Sequence, residues 1–170
     1  MKKETYKKED ILQTSLFIPT ACVFTGHREL GKDFSKRKLK KEVEKAIQSG
    51  VKVFYSGLAW GFDLTACEIV LSLKKKYENV RLIGCIPCLG QSNFFAEAEK
   101  KRYDDVLKKL DENVLVSDRN YYKGCMHKRN TYMCDKADMM ITYCKTDTGG
   151  TAFTVKYFQK KYPQKQIVFL

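Results

Sequence analysis

The chain has 170 residues, enough for one domain with a real core, and its apolar and charged shares are those of an ordinary globular protein. No run of about 18 apolar residues occurs, so no membrane span is expected, and the opening MKKETYKKED carries basic residues without an apolar stretch behind them, so neither is a secretory signal. The net charge of +12 favours anionic or phosphate-bearing partners, without choosing among a nucleic acid, a nucleotide and an anionic surface.

Residues 1–19 read as a basic arm with little pattern, ahead of a folded region over 20–170. ACVFTG (21–26) is a short apolar run ending in glycine, read as a strand. Leu39, Val43, Ala46 and Ile47 then fall at i, i+4, i+7 and i+8, which predicts a helix, and Gly50 is placed to end it. VKVFYS (51–56), β-branched and aromatic, is a second strand. Ala66, Val70, Leu73 and Tyr77 repeat at helical intervals. VRLIGCI (80–86) is a third strand, stopped by Pro87, and Tyr103, Val106, Leu107 and Leu110 mark another amphipathic helix. NVLVS (113–117) is a fourth strand, 127–137 a helix, and DMMITYC (138–144) a fifth strand. Val155, Phe158 and Tyr162 line a last helix, and QIVFL (166–170) closes as a sixth strand.

Strands and helices therefore alternate from end to end, and several strands are apolar on both faces. The pattern implies a doubly wound, mostly parallel α/β sheet with helices on both faces, in a single domain. In such sheets ligands bind outside the carboxyl ends of the strands. The first strand ends in Thr25, Gly26, His27 and Arg28; the second in Ser56 and Gly57, with Gly61 and Asp63 beyond. The third runs into Pro87, Gly90, Gln91, Ser92 and Asn93, and the fifth into KTDTGGTAF, with Gly149, Gly150 and Thr151 just before a helix.

Glycines between a strand and a helix let the backbone approach a ligand, and a helix amino terminus offers unpaired N–H groups and a partial positive charge. Gly57 and Gly61 can equally serve only to make a tight turn, with Asp63 capping the helix behind them. Arg28 and Arg129 can offer paired donors to phosphate oxygens, and Asn130 adds an amide beside the second. His27 can act as an acid, a base or a plain hydrogen-bonding group, with a structural hydrogen bond the expected role. His127 has no evident partner.

Seven cysteines, an odd number with several inside apolar runs, fit reduced buried thiols in a cytoplasmic protein better than a disulfide framework. CIPC (85–88) has CxxC spacing, but such redox motifs run directly into a helix, whereas Leu89-Gly90-Gln91-Ser92-Asn93 has the composition of a loop. Cys125, His127 and Cys134 match no familiar zinc spacing, so no metal is expected. The lysine clusters at 36–41, 74–76, 100–102, 108–109 and 160–161 read as solvated helix faces. Tyr121 and Tyr122 beside Lys123 are the hint of aromatics interleaved with basic groups that single-stranded nucleic acid uses.

CVFTGHRELG, FYSGLAWGFDLTACEIVL, IPCLGQ, YYKGCMHKRNTYMCDKADMMITY and TGGTAFTVKY come in the order seen in YpsA-like proteins of the SLOG superfamily, which also holds the DNA-processing protein DprA and LOG-type phosphoribohydrolases. The resemblance covers about residues 20–170 and implies a SLOG-type, Rossmann-like domain. GLAWGFD resembles the DprA glycine turn GLAxGID. Arg129 and Gly149-Gly150-Thr151 resemble the arginine and glycine–threonine loop that hold nucleotide phosphates in LOG-type enzymes. Those enzymes carry a catalytic glutamate three residues after that threonine; here the position is Thr154, so no general acid or base for N-glycosidic cleavage stands there.

The expected function is binding of a nucleotide-derived ligand, ADP-ribose-like or NAD-derived, by a sensor or carrier. Gly26, His27, Arg28, Ser56, Gly57, Gly61, Asp63, Pro87, Gln91, Arg129, Asn130, Gly149, Gly150 and Thr151 are the candidate binding residues, and no catalytic residue is assigned. A nucleotide hydrolase or transferase and a DprA-like nucleic-acid binder remain as alternatives. No resident cofactor beyond that small molecule is expected, and the resemblance implies a homodimer or higher homo-oligomer.

Overall fold

The sheet is built from short runs whose central members are apolar on both sides, and the chain visits them in an order that reverses once. The computed structural model describes residues 19–170; the basic arm read over 1–19 lies outside the described residues except for Pro19. Six strands and five α-helices follow one another: β1 (Ala21–Gly26), α1 (Lys36–Gln48), β2 (Val53–Ser56), α2 (Phe62–Leu73), β3 (Arg81–Ile86), α3 (Glu97–Leu107), β4 (Glu112–Leu115), α4 (Cys125–Lys136), β5 (Met139–Tyr143), α5 (Gly149–Lys161) and β6 (Gln166–Phe169). The strand order is β4-β3-β2-β1-β5-β6, and every pairing is parallel. The Rossmann-like, doubly wound sheet expected from the alternation is therefore present, with the parallel character complete.

Local sequence accounts for the helices. Ser35 Oγ accepts from the Lys38 amide at 3.1 Å and caps α1. Leu39, Val43 and Ala46 form its buried stripe, and Gly50, at φ 121°, carries the chain out of the helix. LGQSN departs from the loop reading in part: Gln91–Phe94 forms one turn of 3₁₀-helix, entered through Gly90 at φ 72°. The strand ends fall within two residues of the sequence expectation, but α2 stops at Leu73 and α3 at Leu107, so Tyr77 and Leu110, read as helical, lie beyond their helices.

The sheet separates two apolar layers. Cys22 and Phe24 of β1 pack with α1, α2 and α3, while Val23 packs with α4 and α5. Phe24 and Phe54 stack at 5.4 Å between ring centres, and Phe62 meets Phe24 edge-on. Burying each such ring stabilises the fold by about 1.5–3 kcal/mol. The edge strands β4 and β6 are partly exposed. Among the described residues no helix is long and apolar enough to cross a membrane.

After β1 the chain adds β2, β3 and β4 on one side, then returns through α4 to place β5 against the other side of β1. The crossovers leaving β1 and β5 thus diverge to opposite faces, and a crevice opens at the carboxyl ends of this strand pair.

Candidate functional site

That crevice is a cleft of about 780 Å³, within the range that holds a small-molecule ligand. Its floor is the end of β1, Phe24 to Gly26, beside Tyr143 at the end of β5. One wall is the segment after β1 with the start of α2; the other is α4 with the first turn of α5.

The wall after β1 is held by hydrogen bonds to β5. Tyr143 Oη donates to Asp33 Oδ1 at 2.7 Å and accepts from the Gly31 amide at 3.2 Å. Lys145 Nζ lies 3.0 Å from Asp33 Oδ2. His27 is part of this scaffold: its Nε2 accepts from the Lys145 amide at 2.7 Å, and its amide donates to the Tyr143 carbonyl at 3.1 Å. With Nε2 engaged as an acceptor the proton sits on Nδ1, so the nitrogen that would abstract a proton is already occupied. The structural hydrogen bond expected of His27 is what it makes.

Arg129, on α4, is buried at 4% exposure. Its Nη1 donates to the Gly57 and Cys85 carbonyls, and its Nε donates to Asn130 Oδ1 at 2.7 Å. Among the described residues Nη2 has only the Met126 thioether as partner, 3.8 Å away. The guanidinium thus ties α4 to the ends of β2 and β3, with one nitrogen left for the cleft it lines. From Asn130 the network continues: its Nδ2 donates to Thr154 Oγ1 at 2.8 Å, and that hydroxyl donates to the Gly150 carbonyl at 2.8 Å.

The first turn of α5 is the open part of the site. Thr148 is its N-cap without a side-chain cap bond, and Gly149 sits at φ 90°. A Cβ placed on Gly149 or on Gly150 would meet nothing within 4 Å. Gly150 thus leaves room in the cleft rather than packing against protein, and no cap bond from the Thr148 side chain occupies the first amides of the helix.

Gly57 and Gly61 have a different reason. A Cβ on Gly57 would lie 2.5 Å from the Arg129 guanidinium carbon. A Cβ on Gly61, which has φ 77°, would lie 1.9 Å from the Arg28 carbonyl oxygen. The close approach these two glycines permit is to the protein's own groups. Leu58, between them, is the one described non-glycine residue at positive φ (57°), and its amide donates to Ser56 Oγ at 3.2 Å. Gln91 Nε2 donates to the Gly57 carbonyl at 2.7 Å. Ser56, Gly57, Gly61 and Gln91 therefore build the turn behind the cleft, Pro87 is buried away from it, and Gly149 stands just outside its lining. Gly26, His27, Arg28, Asp63, Arg129, Asn130, Gly150 and Thr151 line it.

Asp63 does not cap α2: the N-cap is Gly61, and no side-chain cap bond forms. The carboxyl group is buried, and Oδ1 has no hydrogen-bond partner among the described residues. Burial pushes its pKa up to about 6, against the nearby charge of Arg129, a backbone hydrogen bond at Ala59 and the charge of Arg28. The Arg28 guanidinium lies over the Trp60 ring, 4.1 Å from its centre.

A family profile, YpsA, described as the YspA SLOG family, matches residues 22–169. The chain belongs to this family. A UPF0398 protein of Halalkalibacterium halodurans is 25% identical over 141 residues, covering 82% of this chain and 75% of its own length. The SPbeta prophage-derived protein YoqJ of Bacillus subtilis is 29% identical over 144 residues, covering 78% of this chain and 84% of its own. Among solved structures, DNA processing protein A from Helicobacter pylori superposes with a TM-score of 0.64 at 21% identity, over 89% of this chain. This YpsA-family chain spans 65% of that protein's length, and the likeness is one of fold.

In this YpsA-family chain Thr154 is buried and both its hydrogen bonds are made inside the protein, so the place of a LOG-type glutamate is filled by a structural hydroxyl. His127 has a partner the sequence did not suggest, the Phe153 ring stacked at 4.0 Å. Lys145 and Asp33 were missed as cleft residues, since nothing in their spacing brings them to the end of β1. Six of the seven cysteines are buried and all are free; burial pushes Cys85 up to about 12 and Cys88 up to about 11, so neither is poised as a thiolate. Among the described residues no cluster of three or more His, Cys, Asp or Glu side chains is arranged to hold a metal.

Proposed function

We propose that this chain binds a nucleotide-derived ligand, ADP-ribose-like or NAD-derived, in the cleft between β1 and β5, as a sensor or carrier. The observation that carries the reading is the first turn of α5. Gly150 faces open space in a cleft at the reversal of strand order, with Thr151 beside it and Gly149 at the rim. Helix amides with room in front of them suit a phosphate, and Arg129 Nη2, Arg28 and Lys145 add positive charge to the same cleft. The saturated Thr154 and the engaged His27 Nε2 favour binding over hydrolysis. Calorimetric titration with ADP-ribose and with NAD tests the proposal. Saturable binding that Thr151→Ala and Gly150→Val both weaken supports it; absence of heat with either ligand, from folded protein, counts against it.

A second reading is single-stranded nucleic acid. The structure of the Helicobacter pylori protein concerns its single-stranded DNA binding mode, and this chain carries +12. Binding of that kind falls steeply with added salt. No gel shift of an oligonucleotide at low salt would reject it. Both readings suit a cytoplasmic protein that self-associates into a homodimer or higher oligomer, which light scattering after gel filtration checks.

A further inference from the structure

The cations that line the cleft are not equally free to meet a ligand. Arg129 directs Nε and Nη1 into the protein, to Asn130 and to the Gly57 and Cys85 carbonyls. Arg28 lies over the Trp60 ring. Lys145 is held differently: its Nζ lies 3.0 Å from Asp33 Oδ2 and donates to the Leu170 carbonyl at 3.0 Å. Among the described residues this is the one ion pair between two charged side chains that both line the cleft. The Lys145 side chain is 44% exposed and that of Asp33 57%, so the pair is open to whatever enters.

A solvated pair of this kind is weak and shifts an equilibrium by no more than about five-fold. A phosphate group carries at least the charge of a carboxylate and strong acceptor oxygens, so one placed beside Lys145 takes the position of Asp33. The displaced carboxylate keeps a partner, because its Oδ1 accepts from the Tyr143 hydroxyl. The loop stays anchored as well, since the Lys145 amide, not its side chain, bonds His27 Nε2. Lys145 opens the connection from β5 into α5, whose first turn lines the same cleft through Gly150 and Thr151. Two anion positions therefore follow one another along a single connection: helix amides free of a side-chain cap, and an ammonium whose present partner can be exchanged. Resting on the cleft reading above, we propose that Lys145 is a specificity-determining residue of this site. Its ammonium takes a second, linked phosphate in exchange for Asp33 while the first turn of α5 holds the other, so the site selects nucleoside diphosphates and their esters over monophosphates. Asp33 is the built-in competitor for the second position, and a monophosphate held at α5 leaves the pair closed.

The test is calorimetric titration of the full chain with ADP, ADP-ribose, AMP and inorganic phosphate. Wild type, Lys145→Met, Asp33→Asn and the double variant are compared, with thermal melting run on each; Lys145→Gln repeats the lysine measurement with a polar side chain. Wild type should bind ADP and ADP-ribose at least about ten-fold more tightly than AMP. Lys145→Met should bring that ratio within about three-fold while affinity for AMP changes by less than about two-fold. Asp33→Asn keeps an acceptor for the Tyr143 hydroxyl and loses the charge, so it should raise affinity for ADP about two- to five-fold, a gain that disappears in the double variant. Equal affinity of wild type for ADP and AMP overturns the exchange and leaves the cleft reading standing. So does a Lys145→Met loss as large for AMP as for ADP, or an Asp33→Asn gain that persists without Lys145. Failure of wild type to bind any of the nucleotides sinks both.

Discussion

Gly61→Ala tests directly why the turn before α2 contains glycine. The residue has φ 77° and ψ −119°, outside the left-handed helical basin that other L-residues visit. Placing a Cβ at positive φ costs about 1–2 kcal/mol before any contact is counted. The added atom would also lie 1.9 Å from the Arg28 carbonyl oxygen and 2.6 Å from its carbon. Those are backbone atoms, so no rotamer relieves the overlap; the segment after β1 must move by more than about 1 Å to restore ordinary contact. That movement breaks the hydrogen bond from the Phe62 amide to the His27 carbonyl, now 3.1 Å, worth about 1 kcal/mol. The expected loss is at least about 3 kcal/mol, which for a domain of this size lowers Tm by roughly 6–12 °C. Urea denaturation followed by circular dichroism measures it; fluorescence does not serve, because Trp60 adjoins the substitution. A loss under about 1 kcal/mol would mean that the turn does not require glycine, and the backbone approach of Arg28 would be the wrong explanation.

Gly150→Ala should do the reverse for stability: the helix gains up to about 1 kcal/mol, since a Cβ there meets nothing within 4 Å, while nucleotide affinity falls; paired denaturation and titration check both signs. Arg129→Lys should destabilise by about 2–4 kcal/mol in urea, because an ammonium cannot reach the Gly57 and Cys85 carbonyls and Asn130 Oδ1 together. Asp63→Asn should stabilise at neutral pH. The folded-state pKa of about 6 stands above the ordinary 3.8, so the folded state binds the proton more tightly and wild-type stability falls as pH rises from about 4 through 6. The variant should exceed wild type by up to about 3 kcal/mol above pH 7, with the gap closing towards pH 4; a constant gap across that range would contradict the burial of an ionised Asp63.

The order and type of the elements could be read from the chain because they follow from local periodicity. Apolar runs such as ACVFTG and DMMITYC need cover on both faces, and spacings such as Leu39, Val43, Ala46 need one helix face buried. The YpsA-type motifs, the glycines at α5 and the Thr154 departure were also legible, since each is a matter of residue identity at a position. The partners of those residues were not. Gly57 and Gly149 look alike in the sequence, each a glycine between a strand and a helix, yet one is crowded by Arg129 and the other opens on empty space. That difference depends on α4 crossing over the ends of β2 and β3, a contact between residues 72 apart. Likewise Asp63 reads equally as a helix cap or a binding residue, and only the fold shows it buried, two positions past the true cap and lining the cleft. Periodicity belongs to a segment and survives without the rest of the chain; the pairing of a glycine with a guanidinium, or the isolation of a carboxylate, exists only once the strand order has reversed and brought distant segments to one edge of the sheet.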